Sequence, residues 1–354
     1  MVDIQADSPD VVCETQGHAG LIHLNRPKAL NALTHDMVNL IAPALDAWEA
    51  DPHITRIIID AEGDRAFCAG GDIRKVTEQG KSGQKTEAIK FWADEYRLNT
   101  RIKTYPKPYI ALVDGIVMGG GVGLSLHGHY RVAGDRYLFA MPEVGIGLFP
   151  DVGATYALPR LKGQSGLWLA MTGSRLKRDD ALAFEIATHA VASADMAALK
   201  QALIAGEDIE TCLSRFKAAA GPSSLAQSQA EIDALFDVSS VKDLMTRMEQ
   251  ASARSDFAKL CFSALQKASP TSLSITFRQM QLGRELSFRE AMMLEYRIVS
   301  RILDGHDFYE GVRAVIIDKD QSPHWAPASI EEIDPLEIDH YFKPLAQELD
   351  LSGI

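Results

Sequence analysis

The chain has 354 residues, of which 46% are hydrophobic and 24% charged, so wholesale disorder is excluded and there is room for about two domains. Its 36 basic and 48 acidic residues give a net charge of −12. This charge argues against general binding to nucleic acids or anionic membranes, because both repel an acidic protein. The four cysteines are far apart and form no CxxC pair, so neither a metal site nor a disulfide framework is indicated.

Two kinds of targeting segment are not expected in this sequence. No apolar run approaches the roughly 20 residues that are needed to span a bilayer. The acidic residues 1–10 have no apolar core and resemble neither a secretory signal nor an Arg-rich transit peptide. We therefore expect a cytoplasmic protein, or a protein of the mitochondrial matrix if a transit peptide has been removed.

The first half of the chain alternates β-rich runs with helical patterns. Strands are predicted over residues 20–24, 56–60 and 109–113, with two more short strands within residues 130–141. A helix is predicted over residues 35–49, with Thr34 as its N-cap. One face of this helix carries Leu40, Ala44 and Ala47. Strands that are separated by helical stretches predict an α/β fold built from crossover units.

Beyond about residue 190 the strand signals end and strong helix formers dominate. Helices are predicted over residues 207–221, 227–254 and 264–304, with breaks in the last range near Pro270 and Gly283. The C-terminal tail is rich in Pro and Asp, but His324 and Trp325 distinguish it from a disordered segment. We therefore predict a core over residues 1–195 that holds the active site, and a mainly helical region over residues 196–354.

Two glycine-rich turns could supply backbone donors to a ligand. Residues 118–123 (MGGGVG) follow the strand predicted at 109–113, and residues 68–72 (CAGGD) follow the strand predicted at 56–60. A strand–glycine–helix junction exposes N–H groups, and two such groups form the minimal oxyanion hole. Taken alone, the glycines at 119–121 could instead serve close helix packing, and the segment at 68–72 could be a plain tight turn. Neither the dinucleotide-binding nor the P-loop glycine pattern is satisfied.

Two acids, Glu143 and Asp151, are eight residues apart in an otherwise apolar loop that is rich in Gly and Pro. Burial by the neighbouring apolar side chains would raise the pKa of a carboxyl group there, and a second carboxylate nearby would divide their roles. The alternative is an exposed loop with two solvated acids. Zinc-protease and serine-hydrolase signatures are absent, and we interpret His127 and His129 as structural.

These segments together resemble the crotonase (enoyl-CoA hydratase/isomerase) superfamily. The matching segments are LNRP at 24–27, NAL at 31–33, FCAGGDI at 67–73, DG at 114–115, GGG at 119–121 and MPE at 141–143. The resemblance implies a spiral of ββα turns with a helical C-terminal region, and an acyl-CoA thioester as the substrate. It also implies that the N–H groups of Gly71 and Gly120 hold the thioester oxygen. No separate cofactor is expected, because CoA is part of the substrate.

Within the superfamily, the sequence is similar to the branch that hydrolyses 3-hydroxyisobutyryl-CoA in valine catabolism. Residues 145–153, 269–273, 293–297 and 305–320 resemble that branch, and the similarity is weakest over about 195–255. Hydratases carry a first catalytic glutamate where this chain has Gly123, whereas Glu143 keeps the place of the second. The expected function is therefore thioester hydrolysis. An enoyl-CoA hydratase or isomerase, and a non-catalytic acyl-CoA- or RNA-binding relative, are the alternatives.

The resemblance also implies roles for individual residues. Glu143 would activate water as a general base or attack the carbonyl carbon to form an anhydride, and Asp151 would orient the 3-hydroxyl group or the water. Glu95 would line the acyl pocket. Four cations flank the matching motifs and could bind the CoA phosphates or be solvated surface charges: Arg26, Lys28, Arg74 and Lys75. A homo-oligomer is possible, and nucleic-acid, membrane and metal binding are not expected.

Overall fold

The computed structural model describes residues 9–223 and 225–354. The prediction about the N-terminal segment therefore falls mostly on residues 1–8, outside the described part. The described strands are β1 (Val11–Gln16), β2 (Ala19–Leu24), β3 (Arg56–Ala61), β4 (Ala66–Cys68), β5 (Tyr109–Val113), β6 (Ile116–Met118), β7 (Tyr130–Ala133), β8 (Leu138–Ala140), β9 (Leu176–Lys177) and β10 (His189–Ala190). All of them precede residue 191, as the sequence predicts.

Helices occur along the whole described chain and dominate its second half. They are α1 (His35–Ala50), α2 (Ile73–Lys81), α3 (Lys85–Lys103), α4 (Gly120–Ser125), α5 (Ala154–Ala157), α6 (Ser165–Thr172), α7 (Arg178–Ala183), α8 (Met196–Ile204), α9 (Ile209–Arg215), α10 (Gln229–Phe236), α11 (Val241–Ser252), α12 (Asp256–Lys267), α13 (Pro270–Gly283), α14 (Phe288–Ile302), α15 (Asp307–Val312) and α16 (Pro335–Phe342). In the described ranges, none is both long and apolar enough to cross a membrane.

Two sheets form the scaffold. The first has the order β1-β2-β3-β5-β7-β10, with an antiparallel β1–β2 hairpin followed by parallel neighbours. The second has the order β4-β6-β8-β9, in which only β9 is antiparallel to its neighbour. Each of β3, β5 and β7 is followed by a short strand of the second sheet, so every turn of the chain adds one strand to each sheet. This arrangement confirms the predicted α/β fold and its spiral of ββα turns.

Helix α1 shows how local sequence sets the packing. The Thr34 hydroxyl accepts a hydrogen bond from the N–H of Met37, so Thr34 is the N-cap, as predicted. Its core-facing side chains are Met37, Val38, Ile41, Leu45 and Trp48. Leu40 lies on the solvent side of α1 and is 51% exposed. The buried face of α1 is therefore not the face predicted from Leu40, Ala44 and Ala47.

The helical region differs in detail from its prediction. The predicted helix over 227–254 is two helices, α10 and α11, and the predicted range 207–221 contains only the shorter α9. The breaks at Pro270 and Gly283 were predicted correctly, because Pro270 begins α13 and Gly283 ends it. One hydrophobic core contains residues from Val11 to Leu351, so the C-terminal helices share their apolar faces with the sheets. Helix α14 packs against α3 of the first half.

Candidate active site

The three parallel strands of the second sheet bring the sequence motifs together. β4, β6 and β8 lie side by side, and each is followed at once by one of the motifs. Parallel strands have their carboxyl ends at the same edge of a sheet, which is where α/β proteins bind ligands. The turn at 69–71, the turn at 119–121 and the loop at 141–151 therefore emerge next to one another. The sequence predicts that the first two turns follow β3 and β5, but it does not reveal the short strands β4 and β6 that lie between.

The two glycine turns pack directly against each other. A Cβ atom on Gly119 would lie 3.1 Å from the Cα of Gly70 and 3.7 Å from the N of Gly71. Gly119 has φ 45° with ψ −123°, a conformation that is open to glycine because it has no Cβ. Within the described part of the chain, the N–H groups of Gly71 and Gly120 donate to no protein acceptor. Both donors are therefore available to an oxygen atom of a ligand.

The edge opens into a cavity of about 200 Å³. Glu95, Glu143 and Asp151 lie in its wall together with both glycine turns, and Val315 and Ile316 of the C-terminal region close another side. Pockets that enclose a whole drug-sized ligand measure about 300–1,000 Å³. The cavity therefore suits a small acyl group, with the remainder of a larger molecule outside.

Glu143 and Asp151 are the buried acid pair of this cavity, with 5% and 4% exposure. Burial raises the pKa of Glu143 well above its usual value, and the charge of Asp151 raises it further. Burial also raises the pKa of Asp151 to about 7, and the hydrogen bond from the Tyr96 hydroxyl, at 2.8 Å, opposes part of this rise. Two such groups favour a state with one carboxylate and one carboxylic acid, the combination that acid–base chemistry needs.

Glu95 is a third buried acid, on α3, and is 2% exposed. Burial raises its pKa well above the usual value, and the charges of Asp151 and Glu295 add to the effect. Its Oε1 atom has no hydrogen-bond partner in the described protein, and this atom would lie 2.8 Å from a Cβ on Gly120. Only glycine fits at position 120 without displacing Glu95. Glu95 therefore lies against the predicted oxyanion donor, with an unpaired oxygen beside the cavity.

The backbone that follows Asp151 is strained. Val152 has φ 51°, in the left-handed region, where a β-branched residue is a genuine outlier. Such a conformation costs about 1–3 kcal/mol and persists only where the surroundings enforce it. The Val152 carbonyl accepts a hydrogen bond from Nε2 of the buried His127 at 2.6 Å. Burial lowers the pKa of His127 to about 4, so the ring is neutral and carries its proton on Nε2.

Both histidines that the sequence analysis interpreted as structural have backbone partners. His127 holds the Val152 carbonyl, and Nδ1 of His129 accepts a hydrogen bond from the N–H of Tyr109 at 3.2 Å. Neither lines the cavity beside Glu143.

Two polar residues near the acid pair were missed in the sequence. Tyr96, next to Glu95 on α3, binds Asp151 directly. Glu295 on α14 accepts hydrogen bonds from the N–H groups of Gly153 and Thr155 at 2.8 and 3.0 Å. Burial raises the pKa of Glu295 to about 8, and the charge of Asp151 contributes. Glu295 lies in a segment that carries the family resemblance, which was the available signal, whereas nothing in the sequence marks Tyr96 as an Asp151 partner.

The four predicted phosphate-binding cations differ in their surroundings. The Arg26 guanidinium forms ion pairs with Asp72 at 3.0 Å and Asp10 at 3.4 Å, so its charge is already neutralised within the protein. Arg74 is exposed, and its guanidinium donates to the Ile316 carbonyl at 3.3 Å. Lys28 and Lys75 are also exposed, and their side chains have no hydrogen bond or ion pair within residues 9–223 and 225–354. The three exposed cations remain available to a ligand.

Comparisons with known proteins agree with this geometry. The sequence profile of the enoyl-CoA hydratase/isomerase family matches residues 19–342. Proteins named "3-hydroxyisobutyryl-CoA hydrolase, mitochondrial" are similar over nearly the full length. The one from Xenopus tropicalis is 49% identical, with 93% of this chain and 87% of the relative covered. The one from Homo sapiens is 44% identical, with 95% and 89% covered.

Two crystal structures share the whole fold. A protein from Rhodobacter sphaeroides 2.4.1 that is named as an enoyl-CoA hydratase superposes with a TM-score of 0.91 at 41% identity, covering 97% of this chain and all of that one. A protein from Mycobacterium thermoresistibile that is named as a carnitinyl-CoA dehydratase gives a TM-score of 0.93 at 37% identity, with 98% and 100% covered.

Proposed function

Because the chain belongs to the enoyl-CoA hydratase/isomerase family and within it to the 3-hydroxyisobutyryl-CoA hydrolases, we propose that it is a thioesterase that converts 3-hydroxyisobutyryl-CoA into 3-hydroxyisobutyrate and CoA, a step of valine catabolism. The observation that carries this proposal is the buried pair of Glu143 and Asp151 beside two free backbone donors, in a cavity the size of a small acyl group.

The glycine turns supply electrostatic stabilisation. The thioester oxygen accepts hydrogen bonds from the N–H groups of Gly71 and Gly120, which have no protein acceptor to give up within the described chain. Negative charge develops on this oxygen when a nucleophile adds to the carbonyl carbon. Donors that already point at that position stabilise the charge without reorganisation, and one such donor is typically worth about 10²–10³ in rate.

Glu143 starts the reaction. As a general base it takes a proton from water, whose oxygen adds to the carbonyl carbon; as a nucleophile its own oxygen adds there and gives an anhydride that water then cleaves. In both routes the C–S bond breaks and the thiolate of CoA leaves. Asp151, which lies in the same cavity wall as Glu143, holds the 3-hydroxyl group or the water in place. Glu95 lines the acyl side of the cavity.

Hydratase chemistry is the second candidate, since two solved relatives carry hydratase or dehydratase names. The surroundings of Gly123 disfavour it. A Cβ atom at position 123 would lie 2.5 Å from Nδ2 of Asn99 and 3.0 Å from the Cβ of Val152. A glutamate in that place, which the resemblance assigns to hydratases, would have to displace the Asn99 side chain and would crowd Val152. Of the two glutamates that the resemblance assigns to hydratases, this chain keeps only the second, Glu143. Hydrolysis therefore fits this site better than hydration.

The cofactor, the cellular compartment and the oligomeric state remain predictions. The substrate supplies CoA, and we expect no separate cofactor. The related hydrolases are named as mitochondrial, and this chain's own compartment stays the predicted cytoplasm or mitochondrial matrix. A homo-oligomer likewise remains a prediction, which the sedimentation behaviour of the purified protein would test.

The deciding experiment measures release of free CoA thiol from a panel of acyl-CoA thioesters alongside hydration of crotonyl-CoA. We expect rapid thiol release from 3-hydroxyisobutyryl-CoA and little or no hydration. Glu143→Gln protein that is expressed and purified in the same way is the control for contaminating thioesterases. Robust crotonyl-CoA hydration would assign the chain to the hydratases, and no turnover of any thioester would make it a non-catalytic relative.

A further inference from the structure

The segment that carries Asp151 is held from the C-terminal region by two buried side chains. The Glu295 carboxylate on α14 spans the N–H groups of Gly153 and Thr155, one with each oxygen. On α13, the Gln279 amide nitrogen donates to the Pro150 carbonyl and to the Thr155 hydroxyl, both at 2.6 Å. Glu295 and Gln279 are fully buried. Their bonds bracket Asp151 on both sides along the chain.

Local structure alone does not explain the conformation of this segment. Helix α5 has only four residues, and its N-cap, Gly153, has no side chain with which to cap it. Val152 has a left-handed φ of 51°, which its β-branched side chain disfavours. A segment with these features relaxes unless neighbouring groups hold it. The two oxygens of the Glu295 carboxyl group supply the missing cap, because hydrogen-bond acceptors are favourable where backbone N–H groups are otherwise free.

On the basis of the proposed hydrolysis, we propose that Glu295 is a positioning residue: its carboxylate fixes the Gly153 and Thr155 N–H groups and thereby holds Asp151 in the geometry that the reaction needs. Glu295 is not one of the residues that line the cavity, so we assign it no direct contact with the substrate. It acts through the backbone that bears Asp151. Glu295 is 142 residues away from Gly153 in sequence. The C-terminal region thereby contributes to the active site.

The test is a double-mutant cycle between Glu295→Gln and Asp151→Asn. Glutamine keeps the size of Glu295 but offers only one oxygen, so an NH₂ group faces one of the two N–H donors. Misplacing a catalytic group by about 1 Å costs on the order of 10²-fold in rate, so we expect Glu295→Gln to lower kcat by about 10- to 100-fold with little change in KM. In the Asp151→Asn background the same change should cost less than about threefold, because the two residues act as one unit.

Two control variants on the same helix separate positioning from folding. Glu290→Gln removes an exposed carboxylate from the first turn of α14 and should leave kcat unchanged. Ile298→Ala creates a cavity in the buried face of α14, so it should lower Tm while kcat measured well below Tm stays near that of the wild type. If Glu295→Gln does not fold, Glu295→Asp serves instead, since it keeps the charge but is too short to span both donors.

Hydrogen exchange of the peptide around residues 150–156 gives a readout that needs no substrate. Exchange there should be faster in Glu295→Gln than in the wild type and in Glu290→Gln. Near-wild-type kcat in Glu295→Gln would overturn the proposal. A double variant whose loss of kcat equals the product of the two single losses would also overturn it, because the two residues would then act independently. A wild-type protein that hydrolyses no acyl-CoA would refute the proposed function instead, and the exchange data would still report on the Glu295 bonds.

Discussion

The strand edge and the C-terminal helices contribute to the site in different ways. The edge of β4, β6 and β8 supplies groups that face the cavity, namely the N–H donors of Gly71 and Gly120 and the carboxyl of Glu143. The C-terminal region supplies Glu295 on α14 and Gln279 on α13, which bind backbone behind the cavity, and the Val315–Ile316 segment that narrows it. The difference teaches that the reacting groups come from the first half of the chain, whereas Glu295 and Gln279, which help to hold them in place, come from the second half. Substitutions in the two regions should therefore fail differently.

Glu143→Gln should give the clearest loss of chemistry without loss of structure. Removal of a general base alone costs on the order of 10²–10⁴ in kcat. Folding should be retained, because glutamine has nearly the same size as Glu143 and replaces a buried ionisable group with a neutral one. Steady-state thiol release and a thermal unfolding curve measure the two effects. A variant that keeps near-wild-type hydrolysis would remove Glu143 from the mechanism.

Asp151→Asn tests the residue at which the two regions meet. A buried acid that binds the 3-hydroxyl group should matter less to a substrate that lacks this group, because an unmade buried hydrogen bond is worth about 1–3 kcal/mol, or about 10- to 100-fold. We expect kcat/KM to fall by that much more for 3-hydroxyisobutyryl-CoA than for isobutyryl-CoA. Equal losses on both substrates would instead assign Asp151 to the water or the leaving thiolate.

The same division explains how far the sequence could predict the site. The glycine turns, Glu143 and Asp151 lie in short motifs with recognisable chemistry, and the structure brings all of them to one cavity with Glu95. The strands that align these motifs, β4, β6 and β8, have three residues each, too few to show a period of two. Their role follows only from pairing between distant parts of the chain.

Contacts made by the helices were harder still to predict. Glu295 and Thr155 are 140 residues apart, and no local pattern announces a hydrogen bond across that distance. The N-cap of α1 was predictable because Thr34 and Met37 are near neighbours. The buried face of α1 was not, since the partly apolar positions around Leu40 gave the wrong phase.

The pH dependence of stability should report on the acids that link the regions. The folded-state pKa of Asp151, about 7, lies above its ordinary value of 3.8 because of burial. The folded protein therefore binds this proton more tightly than the unfolded chain, so the stabilisation that Asp151 contributes is fully present below about pH 4 and is lost as the pH rises through about 7. Between pH 5 and pH 8 the wild type should lose about 2–3 kcal/mol more unfolding free energy than Asp151→Asn.

Urea unfolding at several pH values measures this difference. Burial raises the pKa of Glu295 to about 8, and the charge of Asp151 is a further cause. Asp151→Asn removes that charge and so lowers the pKa of Glu295, which should flatten the pH dependence of stability further. Asp36→Asn makes the same chemical change at an exposed acid in the first turn of α1 and is the matched control. Parallel curves for the wild type and Asp151→Asn would contradict the raised pKa of Asp151.

The smallest expected effects concern the cations outside the cavity, where α2 meets the C-terminal region. Arg74 and Lys75 are exposed neighbours on α2, and only Arg74 also binds the Ile316 carbonyl. If both contact CoA phosphates, Arg74→Gln and Lys75→Gln should each raise KM by about two- to fivefold, since an exposed ion pair is worth about 0.2–1 kcal/mol. Added salt should shrink both effects, because it screens exposed charges.

Arg26 provides the contrast within the same experiment. Its guanidinium is paired with Asp72 and Asp10, so Arg26→Gln should lower Tm slightly and leave KM close to the wild-type value at every salt concentration. A rise in KM for Arg74→Gln that added salt does not reduce would mean that this arginine acts through the Ile316 carbonyl and the cavity wall. Arg74 would then be one of the residues that shape the cavity wall. Lys75 would be the remaining predicted phosphate contact on α2.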